Sequence, residues 1–102
     1  MTVEDHRTAE RRSIALHAAV RARLTPEVVG TARARVDAWL RDGGPVPPPA
    51  ARAWRALLDG PADELAAALV RDDERMRDLR QNTPFAGVVP PAARWRIVRE
   101  VR

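Results

Sequence analysis

The sequence predicts an all-α protein, a small bundle of about five helices, and three observations carry that prediction. Apolar residues recur at three- and four-residue steps through most of the chain. Proline and glycine fall between those periodic segments rather than inside them. No alternating run long enough for a strand is present, since Val88-Val89 is too short.

The first helix is expected over about Val3 to Leu24, which lacks Gly and Pro and carries Ala9, Ser13, Leu16, Val20 and Leu24 on one face. Thr25-Pro26-Glu27 then supplies an N-cap, a proline at the first helical position and an acid in the first turn. Helix two has an apolar stripe of Val29, Ala32, Val36, Trp39 and Leu40, with Arg33, Asp37 and Arg41 spaced four apart to pair along another face. Gly43-Gly44-Pro45 ends it. Residues 43–49 are the one candidate hinge in what is otherwise read as a single helical domain over 1–102.

A third helix, about Pro49 to Asp59, places Ala50, Ala53, Trp54, Leu57 and Leu58 together and stops at Gly60-Pro61. The next, Pro61 to Arg71, has Asp63 and Glu64 at its positive end and buries Leu65 and Leu69. The acids Asp72-Asp73-Glu74 predict a break before a short helix carrying Met76 and Leu79, although a continuous helix keeps the same residues near one face. After a Pro84-containing loop, Pro90-Pro91 opens a last helix with Trp95, Val98 and Val101 on its apolar edge.

Composition bounds the function. A chain of 102 residues with 45% hydrophobic and 31% charged residues fits one small ordered domain with a thin core. No apolar run approaches the ~20 residues that cross a bilayer, and Met1-Thr2-Val3-Glu4-Asp5 lacks a basic region followed by an apolar one, so a cytoplasmic protein without membrane contact is expected. No cysteine is present and there are two histidines, which argues against a structural zinc, and no cofactor is expected. All 18 basic residues are arginine, so the pI of 11.3 overstates a net charge of only +4. From Arg80 to Arg102, five arginines stand against the single acid Glu100, a local excess equal to that of the whole chain.

The candidate chemical motifs are weak. Ser13 and His17 lie one helical turn apart, but a working serine also needs a third orienting group and an oxyanion site. His6 and Glu10 offer two metal ligands with nothing to complete the sphere. The carboxylates Asp63, Glu64, Asp72, Asp73 and Glu74 lack the spacing and glycine of a calcium loop, and no glycine-rich phosphate cradle exists. We therefore expect a non-enzyme without a small-molecule substrate. For DNA, helices one and two loosely mimic a helix-turn-helix with Arg33 and Arg35 on the second, yet no Asn or Gln stands there to read adenine.

Residues 80–87, Arg80-Gln81-Asn82-Thr83-Pro84-Phe85-Ala86-Gly87, read instead as a docking element. Phe85 either plugs the core or projects into a partner, with packing favouring the plug. Arg80, Gln81 and Asn82 either satisfy the last carbonyls of their helix or face that partner. The three tryptophans read as core, except that Trp95, between Arg94 and Arg96, fits an interface equally well.

Ala53-Trp54-Arg55-Ala56-Leu57-Leu58-Asp59-Gly60-Pro61, residues 80–87 as above, and Arg94-Trp95-Arg96 together resemble a family of small bacterial helical proteins from two-gene toxin–antitoxin arrangements. The resemblance spans about half the chain. It implies a non-catalytic antitoxin that binds its cognate toxin and blocks the active site or substrate path, with a nucleotidyltransferase-like protein as one candidate toxin. The expected partner-binding residues are Arg80, Gln81, Asn82, Phe85, Arg94, Trp95, Arg96 and Arg99. If the toxin site is basic, Asp72-Asp73-Glu74 is the better plug; if acidic, Arg94, Arg96 and Arg99 are. The alternative function is a DNA-binding regulator that uses Arg33 and Arg35.

Overall fold

The computed structural model describes residues 3–101, with side chains described from residue 7 onward. Six helices follow in order: α1 (Val3–Arg21), α2 (Pro26–Asp42), α3 (Pro48–Asp59), α4 (Ala62–Leu69), α5 (Glu74–Gln81) and α6 (Pro91–Glu100). No strand occurs among the described residues.

The count exceeds the expected five because the acidic break is real. Val70 leaves the helical region at φ −114°, ψ 6°, and Asp73 takes an extended conformation from which its carboxylate accepts the Met76 amide at 2.8 Å. That acceptor satisfies one of the orphan amides of a new helix start, so α5 begins as a separate element. The same device starts α2, where the Thr25 hydroxyl accepts the Val28 amide at 3.1 Å. Helix α1 ends three residues before the expected Leu24, because Arg23 and Leu24 donate to carbonyls three residues back and tighten the last turn.

Helices α2 and α3 form the most extensive pairing, with α3 also touching α4 and α5, while α1 lies across α4, α5 and α6. The linker offered by the sequence as a hinge joins the α2–α3 pair, and Val46 within it is buried in the core. Gly43 there has φ +78°, a left-handed conformation open to glycine at no steric cost. A Cβ on Gly44 would lie 2.8 Å from Cδ1 of Trp39, so the turn closes directly against that ring. Gly44→Ala is expected to cost about 1–2 kcal/mol, since the half-buried indole must shift, and a fall in Tm of several degrees checks it.

One cluster of buried side chains draws on α1 (Val20), α2 (Ala32, Val36), α3 (Ala51, Trp54, Leu58), α4 (Leu65, Ala68, Leu69), α5 (Met76, Leu79) and the following loop (Phe85, Val89). Trp54 is fully buried at its centre, donates Nε1–H to the Leu79 carbonyl at 3.0 Å, and meets Phe85 edge-on with ring centroids 5.8 Å apart. Arg33, Asp37 and Arg41 do not pair with one another as their spacing predicted, and Arg41 pairs instead with the adjacent Asp42. Asp37 pairs with Arg55 of α3, Arg33 reaches Asp59 at 3.0 Å, and Arg55 also holds Asp59 at 2.9 Å, so an alternating chain of charges ties α2 to α3. A partner on a neighbouring helix is as near as one four residues on, and the helix pairing brings two carboxylates to the arginines at once.

Candidate functional site

The candidate site is the segment from the end of α5 through α6. Asn82 leaves α5 by donating its backbone amide to the Leu79 carbonyl and Nδ2 to the Asp78 carbonyl, a side-chain cap of the last turn. The Thr83 hydroxyl accepts the Phe85 amide at 3.1 Å, turning the chain inward so that Pro84 and Phe85 are buried. Arg35 of α2 clamps the far side of the turn, donating Nη1–H to the carbonyls of Pro84 and Ala86 at 2.8 and 3.1 Å. Gly87, at φ +87°, then redirects the chain toward Val89, which is buried, and Pro90-Pro91, which begins α6.

His17 of α1 holds the other side. Its Nδ1 donates to the Ser13 carbonyl at 2.8 Å, since a carbonyl can only accept, and this leaves Nε2 to accept the Thr83 hydroxyl at 3.0 Å in the neutral ring. The Ser13–His17 pair thus involves the serine backbone, and the imidazole is occupied by a structural bridge to the loop. Burial, followed by the nearby Arg80 charge, pulls the His17 pKa below the ordinary 6.5, against the raising effect of the Ser13 bond. Protonation would place a hydrogen on Nε2 and force the Thr83 hydroxyl proton away. Because the folded pKa is the lower one, the unfolded chain binds the extra proton: stability is full above about pH 6.5 and is lost as pH falls from there toward the folded value. His17→Gln is expected to flatten this part of the pH dependence, measured by chemical denaturation of both proteins between pH 7.5 and 5.

The eight residues expected to bind a partner separate into two groups. Arg80 and Phe85 lie inside the protein, each 3% exposed. As corrections, neither presents its side chain to a partner in this conformation: Phe85 packs on Trp54, and Arg80 donates Nη1–H to the carbonyls of Leu69 and Arg71 at 3.3 and 2.7 Å, closing the end of α4 rather than its own helix. Gln81, Arg94, Trp95, Arg96 and Arg99 are exposed, and Asn82 is half-buried at its cap.

Helix α6 contains no fully buried residue and pairs with α1 alone. Ala93 and Ile97, four apart, pack against the core, while Trp95 lies two positions from Ile97 and therefore near the opposite side. The apolar edge expected from Trp95, Val98 and Val101 is split accordingly: Trp95 is 64% exposed, and Val98 and Val101 are half-buried. The Val101 carbonyl accepts Arg12 Nε–H at 3.2 Å, anchoring the end of α6 to α1. Arg94, Arg96 and Arg99 form no ion pair among the described residues, and Glu100 is the only acid of the helix. Arg102, the last arginine of the basic tail, and the His6 ring of the His6–Glu10 pair lie outside the described residues.

The acids at the start of α5 are engaged locally: Asp73 caps the helix and Arg77 reaches Asp72 at 3.7 Å. The arginines named for DNA are engaged too, Arg33 with Asp59 and Arg35 with the loop carbonyls. Helices α1 and α2 do not pack on each other, so the pair lacks the mutual packing that makes a helix-turn-helix a unit. What sequence reasoning missed is the structural use of Arg35, His17 and Arg80. Arg35 and Arg80 act through backbone carbonyls of other segments, which leave no residue-type signal to pair with an arginine, and His17 meets the hydroxyl of Thr83, 66 residues away in sequence.

The arrangement defines a helical scaffold with one basic, aromatic-centred helix on its outside and no assembled nucleophile, base and third orienting group among the described residues. Comparison of the chain with protein families, curated proteins and solved structures finds no match. No helix among the described residues is long and apolar enough to cross a membrane.

Proposed function

We propose that this chain is a non-enzymatic helical partner protein, an antitoxin that neutralises a co-expressed toxin by direct binding, and that α6 is its docking element. The observation that carries the reading is Trp95, a large apolar side chain 64% exposed on a helix whose other outward residues include the unpaired Arg94, Arg96 and Arg99. Tryptophan and arginine dominate the energetics of protein interfaces. An indole left in water gains by burial, and three guanidiniums around it favour a surface that supplies carboxylates.

The occupant of this face is therefore an acidic, partly apolar surface of the toxin. The resemblance to antitoxins keeps a nucleotidyltransferase-like protein as the candidate toxin. The cluster Asp72-Asp73-Glu74 is the weaker plug, because capping and pairing already use Asp73 and Asp72. Inhibition by occupation needs no chemistry of this chain's own.

The test is co-expression of the chain with the product of its neighbouring gene. Co-purification of the two, with relief of the growth arrest caused by the neighbour alone, is the expected result. A neighbour that neither co-purifies nor arrests growth removes the antitoxin reading.

A further inference from the structure

Two outward features of this protein complement each other. The first is the face of α6, where Trp95 stands exposed among Arg94, Arg96 and Arg99, none of which forms an ion pair among the described residues. The second is a cleft of about 300 Å³ where the turn between α1 and α2 meets the end of α3 and the start of α4. Leu24, Pro26, Val29, Leu58, Ala62 and Leu65 line it, and its wall contains no charged residue, unlike the cavities beside Arg35 and Arg80. Gly60 and Ala62 contribute only a hydrogen and a methyl group where the chain turns from α3 into α4, so the cleft beside Leu58 and Leu65 is not filled from within.

Carboxylates stand at the edge of this cleft. Asp63 and Glu64, in the first turn of α4, are exposed and form no ion pair among the described residues. The Asp63 carboxylate accepts the Glu64 amide at 3.0 Å, and a Glu64 carboxylate oxygen lies 4.0 Å from where a Cβ on Gly60 would stand. The arginines of the neighbouring segments are engaged elsewhere: Arg33 and Arg55 are balanced by Asp37 and Asp59, and Arg23, beside Leu24, is drawn back along α1 to the Ala19 carbonyl. The cleft therefore offers an apolar seat with free negative charge beside it, and α6 offers an apolar ring with free positive charge beside it.

We propose that the cleft receives α6 of a second copy of this chain, with Trp95 seated against Leu24, Val29 and Leu65 and the arginines beside it paired with Asp63 and Glu64. Within one molecule α6 pairs with α1 alone and not with α2, α3 or α4, so the outward indole meets the cleft of another copy. Each copy carries one α6 face and one cleft, which makes the contact heterologous: it closes into a ring or runs on as a chain. A helix of 10 residues against a cleft of this size buries less than the roughly 1,200 Å² of stable complexes, so the assembly is weak and depends on concentration. Both halves of the contact belong to this chain, so the proposal does not rest on the antitoxin reading. A copy whose Trp95 is seated in a neighbour has no free α6 face, and self-association and partner docking exclude each other.

The test is analytical ultracentrifugation of the full chain alone, from about 10 μM to about 1 mM at low salt. The average mass is expected to rise with concentration above the 11.3 kDa of one chain, and to rise less at high salt. Trp95→Ala removes the anchor, and Ala62→Arg with Glu64→Arg fills the cleft and reverses its charge; all three positions are exposed, so the fold is expected to persist in both variants. Each variant alone is expected to associate at least about tenfold more weakly. An equal mixture of the two restores one contact, the intact α6 of the cleft variant in the intact cleft of the Trp95 variant, and is expected to stop at two chains. A wild-type mass that stays at one chain over the whole range, association unchanged in either variant, or a mixture that associates no better than its components overturns the proposal. No toxin enters this test, so its failure leaves the antitoxin reading to its own co-expression experiment.

Discussion

Trp54→Ala is expected to lower the stability by about 3–5 kcal/mol, a large share of the roughly 5–15 kcal/mol that a domain of this size possesses. The indole is fully buried where α3, α5 and the following loop meet, so its removal leaves a cavity lined by elements that cannot all close on it. The hydrogen bond contributes less than the packing. The Leu79 carbonyl also accepts the Asn82 amide at 3.0 Å, so it is not orphaned when Nε1 is lost. The effect should also reach the candidate site, because Phe85 rests edge-on against this ring and seats the loop before α6. Guanidinium denaturation followed by circular dichroism measures it; a loss below about 1 kcal/mol would show that the core does not depend on this contact.

Trp95→Ala is expected to do the opposite: little to stability and much to partner binding. At 64% exposure on a helix without a buried residue, truncation should change stability by no more than about 0.5 kcal/mol. Affinity for the proposed toxin partner should fall by about 30-fold or more, which is the 2 kcal/mol scale of an interface hot spot. Arg96→Glu, which reverses charge beside it, should slow association and make the remaining affinity less sensitive to salt. Equal affinity of the wild type and both variants for the proposed partner would move the proposed docking surface off α6.

Much of the scaffold was legible because its signals are local. Thr25 before Pro26, the glycines after Asp42 and Asp59, and the prolines before α3 and α6 act within one turn of where they stand. The period of Leu65, Leu69, Met76 and Leu79 identified a buried face whether or not the helix broke at residues 70–73. Exposure of α6 was less legible. Trp95 and Ile97 are both apolar and only two residues apart, and the chain alone does not say which one the neighbours will cover. Helix α1 settles it by packing against the other side, toward Ala93 and Ile97.

By itself the sequence determined that this protein is helical, where its helices begin and end to within a few residues, and that Trp54 and the leucines of α4 and α5 belong inside. Those properties follow from backbone sterics, capping and hydrophobic periodicity, which read only near neighbours. The tertiary structure alone decided that Arg80 and Phe85 turn inward, that Arg35 and His17 both bind the loop of residues 82–89, and that Trp95 is left in water. Each of these depends on which carbonyl, ring or cavity a distant segment brings within a few ångströms, and side-chain identity along the chain does not encode that distance.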